Sequence, residues 1–269
     1  IDILRGIIIQ SGNDASKAIA EHMAGSEAGF AKLMNAEAQR LGMKNTQFVN
    51  PTGLPDPAHK ASARDLAILA RAIIRDGAEY YPIYAEREFK YNGIKQGNRN
   101  ALLYTDPTVD GLKTGHTAEA GYCLVTSSKR NDMRLISVIL NTHSAQARAD
   151  QTRTLLGWGF GSFEKNTPIQ PNAVVATAKV GFGKADTVPA VLGAPWMLTV
   201  PRGQQVVQTT VELQPGLEAP VAKGAVIGKV VATSNGKPVG EAPLVAQAEV
   251  ERSGLLLRAW QHLMRLFGK

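Results

Sequence analysis

Apolar residues recur at helical spacing through the first part of the chain and in short β-branched runs through the last third, with the change near residue 165. Residues 14–24 and 27–41 follow the i, i+3, i+4 pattern of an amphipathic helix, and Gly42 closes the second. Ser62, with Asp65 three positions on, makes a capping-box-like start for a helix over 63–76, whose Leu66, Leu69, Ile73 and Ile74 share one face. The stretch 50–57, with three prolines and a glycine, reads as loop. Runs 121–128 and 133–140 are β-type and joined by a hairpin turn at 129–132, and Ser144 caps a final helix over 145–158. Beyond residue 165 the runs 174–180, 197–200, 205–213, 226–233 and 244–250 alternate with Gly and Pro signals, and Asn235-Gly236 marks a hairpin. Helices and strands separated in this way predict a helix-rich α/β domain over 1–165 and a small all-β domain over 166–251.

Composition narrows the class. With 269 residues, 44% of them hydrophobic, and a net charge of +7, the chain buries a sizeable core and is not dominated by disorder. No stretch of eighteen apolar residues is present, and no basic segment followed by an apolar one opens the chain, so neither a spanning helix nor a secretory signal is expected. The single cysteine, Cys123, excludes an internal disulfide and a cysteine-based zinc site. Charge is uneven: residues 1–165 carry 20 basic and 17 acidic residues, 166–251 carry six of each, and 252–269 carry four basic residues and no acid. More than half of the basic excess sits in the last eighteen residues, which argues against nucleic-acid binding, since that puts its basic patch on the folded domain. In the tail, Leu256, Trp260, Leu263 and Phe267 fall on one helical face and Arg258, His262, Arg265 and Lys269 on the opposite one. That pattern predicts an in-plane amphipathic helix on an anionic membrane surface.

Two motifs carry candidate chemistry. Ser11-Gly12-Asn13 lies between the apolar run Ile7–Ile9 and a helix, and Lys113-Thr114-Gly115-His116 precedes the predicted hairpin. Either alone is a weak signal. In this order they are two of the three elements that serve serine acyl transfer in penicillin-binding proteins and class A β-lactamases. The serine chemistry needs a proton relay, and a carboxylate-bearing substrate needs a cation. A lysine at the start of a strand offers that cation, a glycine beside it lets a substrate backbone come close, and strand N–H groups stabilise an oxyanion.

The chain resembles the D-alanyl-D-alanine carboxypeptidases of the penicillin-binding protein 5 type. The likeness is carried by 4–15 (LRGIIIQSGNDA), 41–46 (LGMKNT), Asn98-Arg-Asn100, 109–117 (VDGLKTGHT) and the helix with Arg148, and it covers essentially the whole chain. The resemblance implies a β-lactamase/transpeptidase-like α/β first domain, then a small all-β domain and a C-terminal amphipathic helix. It implies a serine DD-carboxypeptidase that removes the terminal D-alanine from peptidoglycan stem peptides through an acyl-enzyme, is acylated by β-lactams and uses no metal or cofactor. It implies a location at the periplasmic face of the bacterial inner membrane. Residue by residue, the resemblance implies that Ser11 relays a proton, Asn13 holds the substrate amide, and Lys113 faces Ser11 across the cleft. It implies that Thr114, Gly115 and Arg148 bind substrate, the first and last through its terminal carboxylate, and that the backbone N–H of His116 donates to the oxyanion. A DD-endopeptidase, a β-lactamase-like hydrolase and a non-catalytic cell-wall binding protein are the competing readings.

The family's nucleophile sits in Ser-x-x-Lys ahead of Ser-x-Asn, and no serine precedes Ser11, so it is expected upstream of Ile1. The internal matches Ser162–Lys165 and Ser234–Lys237 come after Lys-Thr-Gly and stand in the wrong order. Plainer readings apply to several residues. Arg148 beside Asp150 and Arg153 reads by default as part of a solvated face, and Cys123 as a small core residue. His22, His59, His143 and His262 read as surface residues, Asp65 as a helix-start residue, and Trp158 and Phe160 as core cover.

Overall fold

A computed structural model describes residues 1–203 and 207–255, which form two compact units divided between Gly161 and Ser162. In the first unit, helices α1 (Asp2–Gln10), α2 (Asn13–Ala24), α3 (Glu27–Leu41) and α4 (Ala63–Asp76) come first. A short hairpin comes next, β1 (Glu88–Tyr91) and β2 (Ile94–Gly97), then the one-turn helix α5 (Leu102–Thr105). The antiparallel strands β3 (Val109–Thr117), β4 (Gly121–Arg130) and β5 (Met133–Thr142) lie in the order β3-β4-β5, and α6 (Ala145–Ser162) closes the unit.

The helix ends sit where capping chemistry puts them. Ser26 Oγ accepts from Gly29 N at 3.0 Å, Ser62 Oγ from Asp65 N at 3.2 Å, and Ser144 Oγ from Ala147 N at 3.0 Å. Gly42 ends α3 at φ 80°, which a Cβ would disfavour. The apolar face expected of α4 is only half-buried, and the fully buried positions are Asp65, Ala70 and Ala72. Helix α6 runs four residues past the expected end at 158, through two glycines. One of these, Gly159, meets the sheet so closely that a Cβ would lie 2.8 Å from Leu135 Cδ1. Trp158 on this helix is 60% exposed and is not core cover, whereas Phe160 is half-buried with Arg130 over its ring at 4.4 Å.

The second unit begins earlier than the composition shift at 165. Strand β6 (Phe163–Asn166) pairs with β9 (Leu198–Pro201), so backbone hydrogen bonding already commits it to the β-rich part. Five further strands, β7 (Val174–Lys179), β8 (Thr187–Leu192), β10 (Val207–Leu213), β11 (Val226–Ser234) and β12 (Lys237–Ala246), form one sheet in the order β10-β11-β12-β8-β7. Asn235 and Gly236 both take positive φ (50° and 72°) at the β11–β12 turn, as a tight hairpin requires. Of the run expected at 244–250, residues 244–246 are the end of β12, which starts at Lys237, and Val250 makes an isolated bridge to Val221. The core of this unit is an apolar cluster that includes Val188, Val200, Ile227, Val230 and Leu244.

The tail boundary also moves. Arg252 bridges to Gly183 and donates to Ala219 O at 3.1 Å, and Ser253 N donates to Phe182 O at 2.9 Å. These two residues belong to the β unit. The amphipathic pattern expected over 252–269 otherwise lies outside the described residues from 256 onward. Among the described residues no helix is long and apolar enough to cross a membrane.

Two glycines give opposite expectations. Gly121 opens β4 at φ 63°, and a Cβ there would stand 2.9 Å from Thr142 O and from Asn141 Oδ1. Gly157 lies within α6 with nothing inside 4 Å of its Cβ position. Gly121→Ala is expected to destabilise the protein by about 1–3 kcal/mol, and Gly157→Ala to stabilise it by roughly 0.5–1 kcal/mol. Denaturant melts of the two variants decide this, and equal midpoints would contradict the backbone geometry.

Candidate active site

The cleft forms where the α1–α2 junction meets β3. Helix α1 ends at Ser11, which takes the left-handed conformation (φ 56°, ψ 43°), and Gly12 then serves as the N-cap of α2. Ser11 N and Gly12 N donate back to Ile7 O and Gly6 O at 3.1 and 3.0 Å, so the turn is fully bonded. A non-glycine residue in this region of φ/ψ is uncommon, and the turn lifts the Ser11 side chain off the helix. Asn13 is the first residue of α2, exposed on the cleft wall. Ile8 and Ile9 anchor the junction from below against Ile83.

Lys113 comes from the middle of β3, not its start: the strand runs four residues on either side of it. Its Nζ donates to Ser11 Oγ and, at 3.0 Å, to the carbonyl of Thr114. The lysine makes no ion pair among the described residues. Burial, with the positive charges of Arg99 and Arg148 added, lowers its pKa to about 8. An ammonium that gives up its proton this readily, bonded to a serine hydroxyl, can pass a proton in either direction near neutral pH.

Arg148 is the main correction to the local reading. It is buried at 9% exposure, unlike its helical neighbours Asp150 and Arg153. Its guanidinium donates to Gly115 O (3.3 Å), Cys123 O (3.5 Å) and Arg99 O (3.4 Å) and lies over the Tyr122 ring at 5.6 Å. Burial pulls its pKa below the usual value. Arg99, the centre of Asn98-Arg-Asn100, has no role that its sequence neighbours suggest, and the structure brings it into the cleft. The two flanking asparagines are buried and fold the turn that presents it. Asn98 Oδ1 accepts from Asn100 N at 3.0 Å, and Asn100 Nδ2 donates to Gly111 O at 3.3 Å.

Gly115 lies in the same strand as Lys113. A Cβ there would meet only Cys123 Cβ, at 3.8 Å, so packing of the protein itself does not demand glycine. His116 pairs across the strands with Tyr122, ring centroids 4.0 Å apart, and its side chain is exposed. Cys123 is half-buried on the cleft wall and donates to Ala120 O at 3.2 Å; it is not a core residue. His59 also lines the cleft, and its pKa is lowered by burial, with Asp56 opposing. The cleft encloses about 1170 Å³ and gathers Ser11, Asn13, Lys113, Thr114, Gly115, His116 and Arg148 from elements up to 137 residues apart in sequence (11 to 148). Neither Ser162 nor Ser234 lines it.

Both parts of the chain are similar to known proteins. Residues 1–144 match the D-alanyl-D-alanine carboxypeptidase family, and residues 163–252 match the penicillin-binding protein 5 C-terminal domain. The D-alanyl-D-alanine carboxypeptidase DacC of Escherichia coli K12 is 43% identical over 99% of this chain and 67% of its own length. DacA of Haemophilus influenzae is 42% identical over 98% of this chain and 68% of its own length. The crystal structure of penicillin-binding protein 5 from Haemophilus influenzae superposes with a TM-score of 0.79 at 42% identity, covering 93% of this chain and 74% of that one. Penicillin-binding protein D2 of Listeria monocytogenes, solved with cefotaxime bound, matches at 32% identity and a TM-score of 0.55 over 59% of this chain and 65% of that one. With both units matched in order along the chain, it belongs to the D-alanyl-D-alanine carboxypeptidase family, the serine-type peptidases that include penicillin-binding protein 5.

Proposed function

We propose that the cleft between the α1–α2 junction and β3 is the site at which this serine DD-carboxypeptidase cuts the D-Ala-D-Ala end of peptidoglycan stem peptides. The observation that carries the reading is the hydrogen bond from Lys113 to Ser11 in a cleft that also holds Arg99 and Arg148. The terminal carboxylate of the peptide is taken by Thr114 and Arg148, with Arg99 adding charge, because charge-assisted bonds to a guanidinium fix a carboxylate strongly. Asn13 holds the substrate amide. Gly115 leaves room for the peptide to lie along β3, which is the outer strand of its sheet. The N–H of His116 donates to the oxyanion.

The serine nucleophile, in the Ser-x-x-Lys of the family, attacks the carbonyl carbon of the penultimate residue. The tetrahedral intermediate collapses to an ester as the C–N bond breaks. The departing amine of D-alanine takes a proton that Ser11 and Lys113 relay, and water then hydrolyses the ester and restores the serine. A β-lactam forms the same ester, but its amide opens within a ring and nothing departs. Neither Ser162 nor Ser234 is the nucleophile: the first ends α6 while Lys165 lies in β6, and the second sits at the β11–β12 turn. An endopeptidase reading is less well supported. The relative of that name aligns with only 54% of this chain, whereas the carboxypeptidases align with nearly all of it. The enzyme acts at the periplasmic face of the inner membrane, held on anionic lipid by residues 256–269.

Three outcomes test this. The folded pKa of Lys113, about 8, lies below the unfolded value, which is about 10.4. The buried ammonium is therefore unfavourable below pH about 8, and the penalty fades as pH rises toward the unfolded value. Lys113→Met is expected to melt no lower than the parent at pH 7, while acylation by a fluorescent penicillin falls by about 10²–10⁴-fold. Acylation within twofold of the parent, or a parent adduct that maps to Ser162 or Ser234, would remove the proposed machinery. For Arg148→Ala, kcat/KM on a peptide ending in carboxylate should drop toward that on its C-terminal amide; an undiminished preference for the carboxylate assigns Arg148 to packing alone. Deleting 256–269 should release the protein from anionic liposomes with acylation intact, and continued flotation would place the anchor elsewhere.

A further inference from the structure

Part of the cleft wall is a loop, residues 47–61, built to hold one shape. Its tip is fixed by Asn50, whose Oδ1 accepts from Gly53 N (2.7 Å), Thr52 N (3.1 Å) and Thr52 Oγ1 (3.0 Å). Its waist is a two-bond bridge between Gln47 and Lys60, at 2.8 and 2.9 Å. Phe48 is tied in both directions to Asn35 on α3, at 2.7 and 2.8 Å. What the loop presents to the cleft at its tip is uncharged and mostly apolar: Pro51, Leu54 and Pro55, with Leu54 48% exposed, together with Gly53 and Thr52, whose hydroxyl is already bonded to Asn50.

Both ends of this loop meet one carboxylate. Asp65, on the first turn of α4, is 1% exposed. Its Oδ2 accepts from Asn45 N at 2.7 Å and Thr46 Oγ1 at 2.8 Å, where the chain enters the loop. The Lys44 N–H adds to this, and Ser62, where the chain leaves the loop, bonds to the same residue. No cation pairs with Asp65 among the described residues. Burial alone would push its pKa up, but these donors outweigh burial and hold the carboxyl below the usual range. A helix-start residue needs none of this. The N-cap of α4 is Ser62, and the Asp65 backbone N–H alone satisfies that cap.

We propose that Asp65 is a positioning residue for the peptidase reaction: it fixes both ends of the 47–61 loop and so sets the apolar wall against which the peptide lies upstream of the scissile bond. This rests on the cleft being the peptidase site. The cations Lys113, Arg99 and Arg148 claim the carboxylate end of the substrate, and the uncharged tip of the loop suits aliphatic parts of the stem further back. Asp65 touches neither the reacting atoms nor the substrate. A small β-lactam fills the carboxylate end and does not depend on the wall.

The test uses the full-length enzyme with Asp65→Asn and, as a milder change, Thr46→Val. For Asp65→Asn on a D-Ala-D-Ala pentapeptide, KM should rise about tenfold with kcat within about twofold. Acylation by benzylpenicillin should stay near the parent rate. Thr46→Val should shift KM in the same direction and less. A fall in kcat at unchanged KM, or loss of penicillin acylation in step with peptide turnover, overturns the proposal, since either marks general damage to the fold. If Asp65→Asn does not fold, Thr46→Val and Ser62→Ala decide: unchanged KM in both overturns it. A parent enzyme that penicillin does not acylate would strike the peptidase reading itself, whereas a normal parent with unsplit variants strikes only Asp65.

Discussion

The bond from Lys113 to Ser11 joins residues 102 apart in the chain and is the constraint around which the first unit is arranged. To make it, α1 must end in a left-handed serine, β3 must carry a lysine in its middle, and the helical layer must meet the sheet at that point. An ammonium placed there without a carboxylate partner is unfavourable, and two arginines nearby make it more so. The same arrangement leaves three cations facing one cleft, where, on the proposed reading, the substrate carboxylate supplies the missing charge.

The two units carry different kinds of core. In the second, seventeen buried apolar residues among those described form one cluster. In the first, the clusters are small, and between them lie Asp65, Asn98, Asn100 and Arg148, all buried. Buried polar groups are tolerated only when bonded, so each of these fixes the backbone segment that satisfies it. Asn98 and Asn100 shape the turn bearing Arg99, and Arg148 ties that turn to β3 and β4. The hydrogen-bond pattern, more than apolar packing, locates the cleft residues.

Local signals in the sequence are enough for the parts of the fold that are locally determined. The end of α3 and the start of α4 are legible from Gly42 and Ser62, since capping depends on three or four neighbouring residues. The β1–β2 hairpin escapes the apolar pattern although Asn92-Gly93 is flanked by alternating residues, because both strands are largely exposed and carry no strong apolar face. Strand β8 escapes it because Pro189 lies within the strand. Lys113 reads as a strand start, whereas the strand begins four residues earlier, at Val109. Arg148 is harder still. Its own helix presents Asp150 and Arg153 to solvent, and the carbonyls that draw it inward belong to residues 25 to 49 positions away. The motifs locate the chemistry, but the residues that hold them in place are set by tertiary contacts.

Gly115 is a position that the protein's own packing leaves almost empty. The space where a Cβ would stand is bounded by almost nothing of the chain's own, so folding stability exerts little selection on it. On the proposed reading, an intruding methyl group would crowd the natural peptide and the antibiotic alike, because both lie along the same strand and are read there by backbone and carboxylate. Drug resistance by that route closes off cell-wall trimming as well, and escape from a β-lactam has to come from parts of the cleft that the shorter molecule uses differently from the peptide.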